Sequence, residues 1–195
     1  MTAEARRRQI IQVALKTIGK HGVQGTTIAR IAKAAGVTTA ALYTHFENRQ
    51  AILLAALDEV YEPVFESHRV PSAGNPLQRL RDMCMTYSRL ITAQGASGYA
   101  RLFLEFVAAA PGNGLHEAVL RKEAAVAADL IGVIVEGQRQ GVIRAEVDPS
   151  EVALLIGAWA WAGDVAFLMG NRTNWSDVAS PKLLDLVLDS IAVRT

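Results

Sequence analysis

Between Thr38 and Arg49 the chain sets out a row of small, hydroxyl, aromatic and cationic side chains: Thr38, Thr39, Ala40, Ala41, Tyr43, Thr44, His45 and Arg49. Two large apolar residues, Leu42 and Phe46, stand four apart among them. On a helix these two share one face, which leaves Thr39, Ala41, Tyr43 and His45 largely outward. Such groups form no nucleophile–base pair and no metal-ligand spacing; the chemistry they suit is recognition. Hydroxyl and ring N–H groups donate to phosphate oxygens, and short side chains let a helix approach base edges closely. Arg49 opens the next helix, where free backbone N–H groups already favour an anion.

The elements that must hold this row lie just before it. Thr26 or Thr27 can cap a first short helix, because a side-chain oxygen there accepts from an otherwise unpaired N–H. Ile28, Ile31 and Ala32 follow at helical spacing, with Arg30 and Lys33 elsewhere on the helix. Gly36 stands where a left-handed residue would end that helix, and Thr38 can cap the second. Two short helices joined by a tight turn make a helix-turn-helix, whose second helix reads the DNA major groove. The bland alternative is an ordinary helical hairpin, and charge argues against it. Residues 1–50 carry eight Lys and Arg against Glu4 and Glu47, a net +6, so the other 145 residues carry −5 within a total of +1. A basic head on an acidic body is expected if only the head meets a polyanion. The expected base-side contacts are Thr27, Arg30, Thr38, Thr39, Ala41 and Tyr43, with Thr44, His45 and Arg49 at the backbone. Tyr43 and His45 also offer phosphate donors.

From Thr26 to Arg49 the pieces Ile31-Ala32, Ala35-Gly36-Val37-Thr38, Leu42-Tyr43 and His45-Phe46 resemble the signature of TetR-type (TetR/AcrR) bacterial transcriptional regulators. The resemblance covers about the first quarter of the chain. Ala40 stands where that family often has Gly, and Arg49 where it usually has Lys. Ala favours the helix and Arg keeps the charge, so both departures bear on which operator is read rather than on DNA binding.

The rest of the chain bounds the function class. About half of the 195 residues are hydrophobic and a fifth charged, as in a globular protein. Cys84 is the only cysteine, so no intramolecular disulfide forms; among Leu80, Met83 and Met85 it reads as a buried structural thiol. Arg6–Arg8 lead into an amphipathic segment rather than a secretory one, and a cytoplasmic location is expected. Val152 to Gly170 is nearly long enough to span a bilayer, but Asp164 interrupts it, and a buried helix is the better reading. His21, His45, His68 and His116 are scattered without metal-ligand spacing, and no phosphate loop or nucleophile elbow is present. Neither an enzyme nor a cofactor or metal is expected.

Apolar residues recur at helical spacing almost throughout, which predicts an all-α fold of about nine helices. The first runs from about Ala3 to Lys20 and ends at His21-Gly22, and the helix-turn-helix follows. A fourth begins at Asn48, with Pro63 kinking or ending it, before a loop at Arg69–Gly74. Asn75-Pro76 opens a fifth with the stripe Leu77, Leu80, Cys84, Tyr87 and Ile91, broken at Gln94–Ser97. Tyr99–Ala109 is the sixth, closed by Pro111-Gly112; the seventh runs from Leu115 to Gln140. Pro149 opens the eighth, ending near Gly170-Asn171, and the ninth follows Pro181. The expected organisation is a three-helix head at 1–47, then a helical bundle at 48–195 for ligand binding and dimerisation, with helix 48–67 as connector.

In the eighth helix Trp159 and Trp161 lie about 200° apart around the axis and cannot share a face. Ile156, Trp159, Gly163 and Phe167 form one stripe; Gly157, Trp161, Asp164 and Leu168 form another. Which tryptophan faces a pocket and which a subunit boundary stays open. The family resemblance implies that the last two helices pair with a second subunit, and two recognition helices are needed to read a palindromic operator. Tyr87, Tyr99, Phe103, Phe106 and Trp159, with Glu105 and Asp164 as polar contacts, could line a small-molecule site, a reading that leans on the resemblance. Asp164 could equally pair with Arg89 or Arg101, and the effector could be a lipophilic cation or an acid. The expected function is a homodimeric DNA-binding regulator, a repressor released by a small apolar organic effector. The alternative is a regulator controlled by a protein partner, with no pocket. Replacing Tyr43 or Arg49 with Ala is expected to weaken DNA binding across sequences and flatten its salt dependence, read by titration at several ionic strengths.

Overall fold

The computed structural model describes residues 2–69, 72–93, 98–109, 111, 114–170 and 179–193. The expected breaks at Gln94–Ser97, Gly112 and Asn171, and Val70-Pro71 of the expected loop, lie outside them, as does the side chain of Ile91. The described residues form nine helices: α1 (Ala3–Gly25), α2 (Ile28–Ala35), α3 (Thr39–Tyr43), α4 (Arg49–His68), α5 (Pro76–Ala93), α6 (Tyr99–Ala109), α7 (His116–Arg139), α8 (Pro149–Leu168) and α9 (Ala179–Ile191). They contain no strand, only one isolated bridge between Ile143 and Ala192. The all-α expectation holds.

Local chemistry explains most of the boundaries. Thr2 caps α1, which carries a non-helical residue at Gly22 (φ 70°, ψ 169°), where the sequence predicts its end; a further turn reaches Gly25. Thr27 caps α2 by accepting from Arg30 N–H, while Thr26 turns inward and donates its hydroxyl to Gly22 O at 2.8 Å. Gly36 (φ 67°, ψ 32°) closes α2 in a Schellman turn: its N–H reaches Lys33 O at 3.3 Å and Val37 N–H reaches Ala32 O at 3.0 Å. Asn48 caps α4 through Ala51 N–H at 2.9 Å, as expected. Pro63 does not end α4, which continues to His68. Asp148 caps α8 with Pro149 behind it, and its bonds to the backbone of Ser150 hold its carboxyl below the usual range. α9 begins two residues before Pro181, which sits in the first turn where its missing N–H costs nothing.

The chain forms two compact units. The first comprises residues 1–62 and 101–121, so the helix-turn-helix shares a core with most of α4 and α6. Ile10, Ala14, Ile18, Ile31, Leu42, Ile52, Leu53, Leu57, Phe106 and Leu115 are buried there, and Tyr61 meets Phe103 edge to face at 5.8 Å. The second comprises residues 63–100 and 122–195, where α5, α8 and α9 pack on one another. Leu80, Met83, Val133, Ile134, Ile156, Trp159, Leu184 and Ile191 form its core, and Arg81 pairs with Asp185 between α5 and α9. Cys84 is buried here and its thiol is pushed up to about 12, which makes it an inert core residue.

Candidate functional sites

Helix α3 is only five residues long, and its position is set from both sides. Thr38 caps its start by accepting from Ala41 N–H at 3.1 Å, and Leu42 and Phe46 are buried. What remains outward is Thr39, Ala40, Tyr43 and Thr44, all exposed, with Tyr43 at 52%. Ala41 and His45 are half-buried. The Thr44 hydroxyl donates back to Ala41 O at 2.7 Å. Thr27 and Thr38 are exposed caps whose hydroxyl oxygens accept one N–H each, so each keeps a proton to donate. Arg30 is exposed and gives one N–H to Gly25 O at 2.5 Å, one of the five that a guanidinium carries. Most of the basic residues of the head are exposed too, Arg8, Lys16, Lys20 and Lys33 among them. The face of α3 is thus short, polar and uncharged, with cations around it, as suits a helix lying between two rows of phosphates.

Arg49 has a different place from the one its charge suggests. It is half-buried, with Nε donating to Thr26 O at 2.6 Å and a terminal nitrogen donating to Val23 O at 2.5 Å. Its fork therefore clamps the turn between α1 and α2, rather than extending toward a phosphate. Sequence reasoning missed a second arginine of this kind. Arg7 donates to His45 O at 2.7 Å and lies 4.1 Å over the Phe46 ring, fastening the start of α1 to the end of the turn motif. Both bonds join residues more than twenty positions apart, and nothing in the local pattern marks them.

The seven candidate ligand residues divide between the two units. Phe103 and Phe106 are core of the first. Glu105, expected as a polar ligand contact, instead accepts from Val23 N–H at 3.4 Å beside the kink at Gly22, where a Cβ would lie 2.9 Å from its carboxylate. Tyr87, Tyr99, Trp159 and Asp164 belong to the second unit. Two open clefts of about 440 and 450 Å³ occur there, by Ser72–Arg79 and by Arg81–Asp185, and none of the seven residues lines either.

Asp164 is fully buried, and its partner is neither Arg89 nor Arg101: Oδ2 accepts from the Tyr87 hydroxyl at 2.8 Å. Among the described residues Oδ1 has no hydrogen-bond partner, nor has the buried Tyr99 hydroxyl, whose ring meets Tyr87 edge to face at 6.1 Å. Burial pushes the Asp164 carboxyl up to about 7, the bond from Tyr87 opposes that shift, and the charge of Glu123 adds to it. Burial and the Asp164 charge likewise hold both tyrosines above their ordinary range. Trp159 is 7% exposed and donates Nε1–H to Ser180 O at 3.0 Å, whereas Trp161 is 43% exposed. The expected stripe that joined Asp164 to Trp161 is thereby corrected. Asp164 lies on the buried side with Trp159 and Gly163, while Leu154, Ala158, Trp161, Val165 and Leu168 run along the exposed side. Leu183, Leu186 and Val193 are exposed in and just after α9. Of the described helices α8 alone has the length and apolarity to cross a membrane, but its carboxylate is held inside the protein.

A helix-turn-helix with an exposed polar recognition helix, in an all-helical chain, defines a DNA-binding protein of the regulator class. The profile described as "Bacterial regulatory proteins, tetR family" matches residues 10–56. The transcriptional regulator TtgR of Pseudomonas putida is 27% identical over 210 residues, covering 98% of this chain and 96% of its own. The repressor KstR2 of Mycobacterium tuberculosis is 30% identical over 83 residues, 42% of each chain. A solved TetR regulator from Chloroflexus aurantiacus superposes with a TM-score of 0.76 over 98% of both chains at 22% identity. Residues 10–56 thus carry the tetR-family DNA-binding domain, and over nearly its whole length the chain is similar to TetR-family transcriptional regulators, which are not enzymes.

Two outcomes follow from this geometry. Arg49→Lys keeps the charge but loses the fork, so it should lower stability almost as much as Arg49→Ala, by about 1–3 kcal/mol in urea unfolding. A phosphate role would instead leave the lysine variant stable. For Asp164, the native carboxyl holds its proton up to about pH 7, whereas the unfolded one loses it near 3.8. Between those values the folded state binds more protons, so this group's contribution to stability falls as pH rises and levels off above 7. At about 1.4 kcal/mol per pH unit the whole window is worth roughly 4 kcal/mol. Asp164→Asn should remove that slope, measured as the difference between wild type and variant in urea unfolding at pH 5 and pH 8.

Proposed function

We propose that this regulator is a cytoplasmic repressor that binds a palindromic operator as a homodimer and is released by a small organic effector held in the second unit. The observation that carries the DNA-contact assignment is the exposed face of α3, Thr39, Ala40, Tyr43 and Thr44, set against a buried Leu42 and Phe46. In this reading Thr38, Thr39, Ala40, Ala41 and Tyr43 meet the groove. Thr27, Arg30, Thr44 and His45 hold the adjoining backbone, and Arg49 serves by fixing the α1–α2 turn. Repression is supported by the likeness to KstR2, which is named a repressor.

Dimerisation is supported by the exposed apolar rows on α8 and in and after α9. Leu154, Trp161 and Leu168 repeat every seven residues, the spacing of helices that pair along a seam. Helix α4 runs unbroken from Arg49 in the first unit to His68 in the second. An effector that prefers one conformation of the second unit then shifts the population toward head spacings that miss successive major grooves, about 34 Å apart. A protein partner on the same exposed rows is the competing reading.

Footprinting on the DNA upstream of its own gene, followed by a screen for compounds that release it, tests operator binding and effector control in turn. Release by a protein fraction and by no small molecule favours the competing reading. Leu154 and Leu186 are 74% and 68% exposed, so Leu154→Asp with Leu186→Asp should leave the fold intact. In sedimentation the double variant should run as a monomer and bind a single half-site at least a hundredfold more weakly than wild type binds the palindrome; a dimeric double variant refutes the α8–α9 seam.

A further inference from the structure

Among the described residues, the second unit buries four side-chain polar atoms without a hydrogen-bond partner: Asp164 Oδ1, the Tyr99 hydroxyl, the Ser180 hydroxyl and Arg144 Nε, of which the first two stand around one tyrosine. Tyr87 links them, because its hydroxyl donates to Asp164 Oδ2 at 2.8 Å and its ring meets Tyr99 edge on. Leaving a buried polar group unpartnered is costly, and more so when it is charged. The core around it does not require an acid: Ile156, Trp159 and Gly163 on the same face of α8 are apolar or small. A carboxylate kept in such a place, one oxygen held by a tyrosine and the other presented, is arranged to meet a donor.

The charge of that donor follows from the surroundings. Glu123 of α7 acts on Asp164 and on both tyrosines, so the two carboxylates give the spot a negative potential. An anionic ligand would be repelled by both. A neutral alcohol would supply a hydrogen bond but would do nothing to favour the ionised form of the carboxyl, which burial disfavours. A protonated amine does both, through a charge-assisted bond of roughly twice the strength of a neutral one. The tyrosine rings add a face that favours a cation. We propose that Asp164 Oδ1 and the Tyr99 oxygen accept from the ammonium group of an apolar organic amine, which is the effector class of this regulator. The inference rests on the effector control proposed above, and the amine's carbon skeleton is left to the apolar residues of the unit.

Isothermal titration of the full-length protein with primary n-alkylamines, from butyl to octyl, against alcohols and carboxylates of the same lengths tests it. Amines should bind at least tenfold more tightly than either matched series. Asp164→Asn should cut that affinity tenfold or more, and Tyr99→Phe about threefold, with both variants folded by circular dichroism. Alcohols or carboxylates matching the amines, an Asp164→Asn protein that binds amines like wild type, or no binding by any amine each overturn the proposal. The same amines are then added to the complex with upstream DNA. Binding at Asp164 without release leaves the amine site standing and removes effector control. Release by a non-amine that still acts on Asp164→Asn removes the amine assignment and leaves effector control standing.

Discussion

A five-residue helix cannot persist in water, because one or two hydrogen bonds do not offset the entropy of fixing its backbone. Everything that α3 does therefore depends on how it is held: Leu42 and Phe46 buried in the head, Thr38 closing its first turn, and the Schellman turn at Gly36 setting its direction. The two arginine clamps extend that hold. Arg7 fastens the end of the motif to the start of α1, and Arg49 fastens the α1–α2 turn to the start of α4. With its shape secured from behind, α3 can present alanine, threonine and tyrosine outward without contributing to its own stability. That division leaves the outward residues open to change without loss of the helix.

Helix α8 poses the complementary problem. It is apolar on nearly every side, so its sequence states that it is covered but not by what. The protein's own core covers the face with Ile156, Trp159 and Asp164, and the face with Leu154, Trp161 and Leu168 stays outward. Two tryptophans two positions apart thus have different fates, one bonded to the backbone of α9 and one exposed. Asp164 follows the buried one, with its charge disfavoured by burial and by Glu123.

Legibility tracked the range of the interaction. The caps at Thr27, Thr38 and Asn48, the start of α8 at Pro149 and the turn at Gly36 use atoms within six residues, so sequence spacing reveals them, whereas the Asp148 cap went unread. The break at Gly22 was equally plain, though a last turn of α1 lies beyond it. Arg49 was misread for the opposite reason. Its charge and place at a helix start suggested a phosphate, while the carbonyls it binds are more than twenty residues away. Glu105 was misread likewise: an acid among Leu104, Phe106 and Val107 looks like a ligand contact until Val23 is seen beside it.

The sequence by itself determined the helix periods, the row of small, hydroxyl and aromatic residues from Thr38 to His45 and the basic head on an acidic body, since each is a matter of neighbouring residues or simple charge. Only the tertiary structure decided which polar groups are spent inside the protein and which are left without a partner among the described residues. Arg49 and Glu105 are spent on backbone, whereas Asp164 and Tyr99 keep an unpartnered atom apiece. The reason is physical. A residue type fixes what a side chain can donate or accept, but burial and the approach of distant backbone fix what is left over.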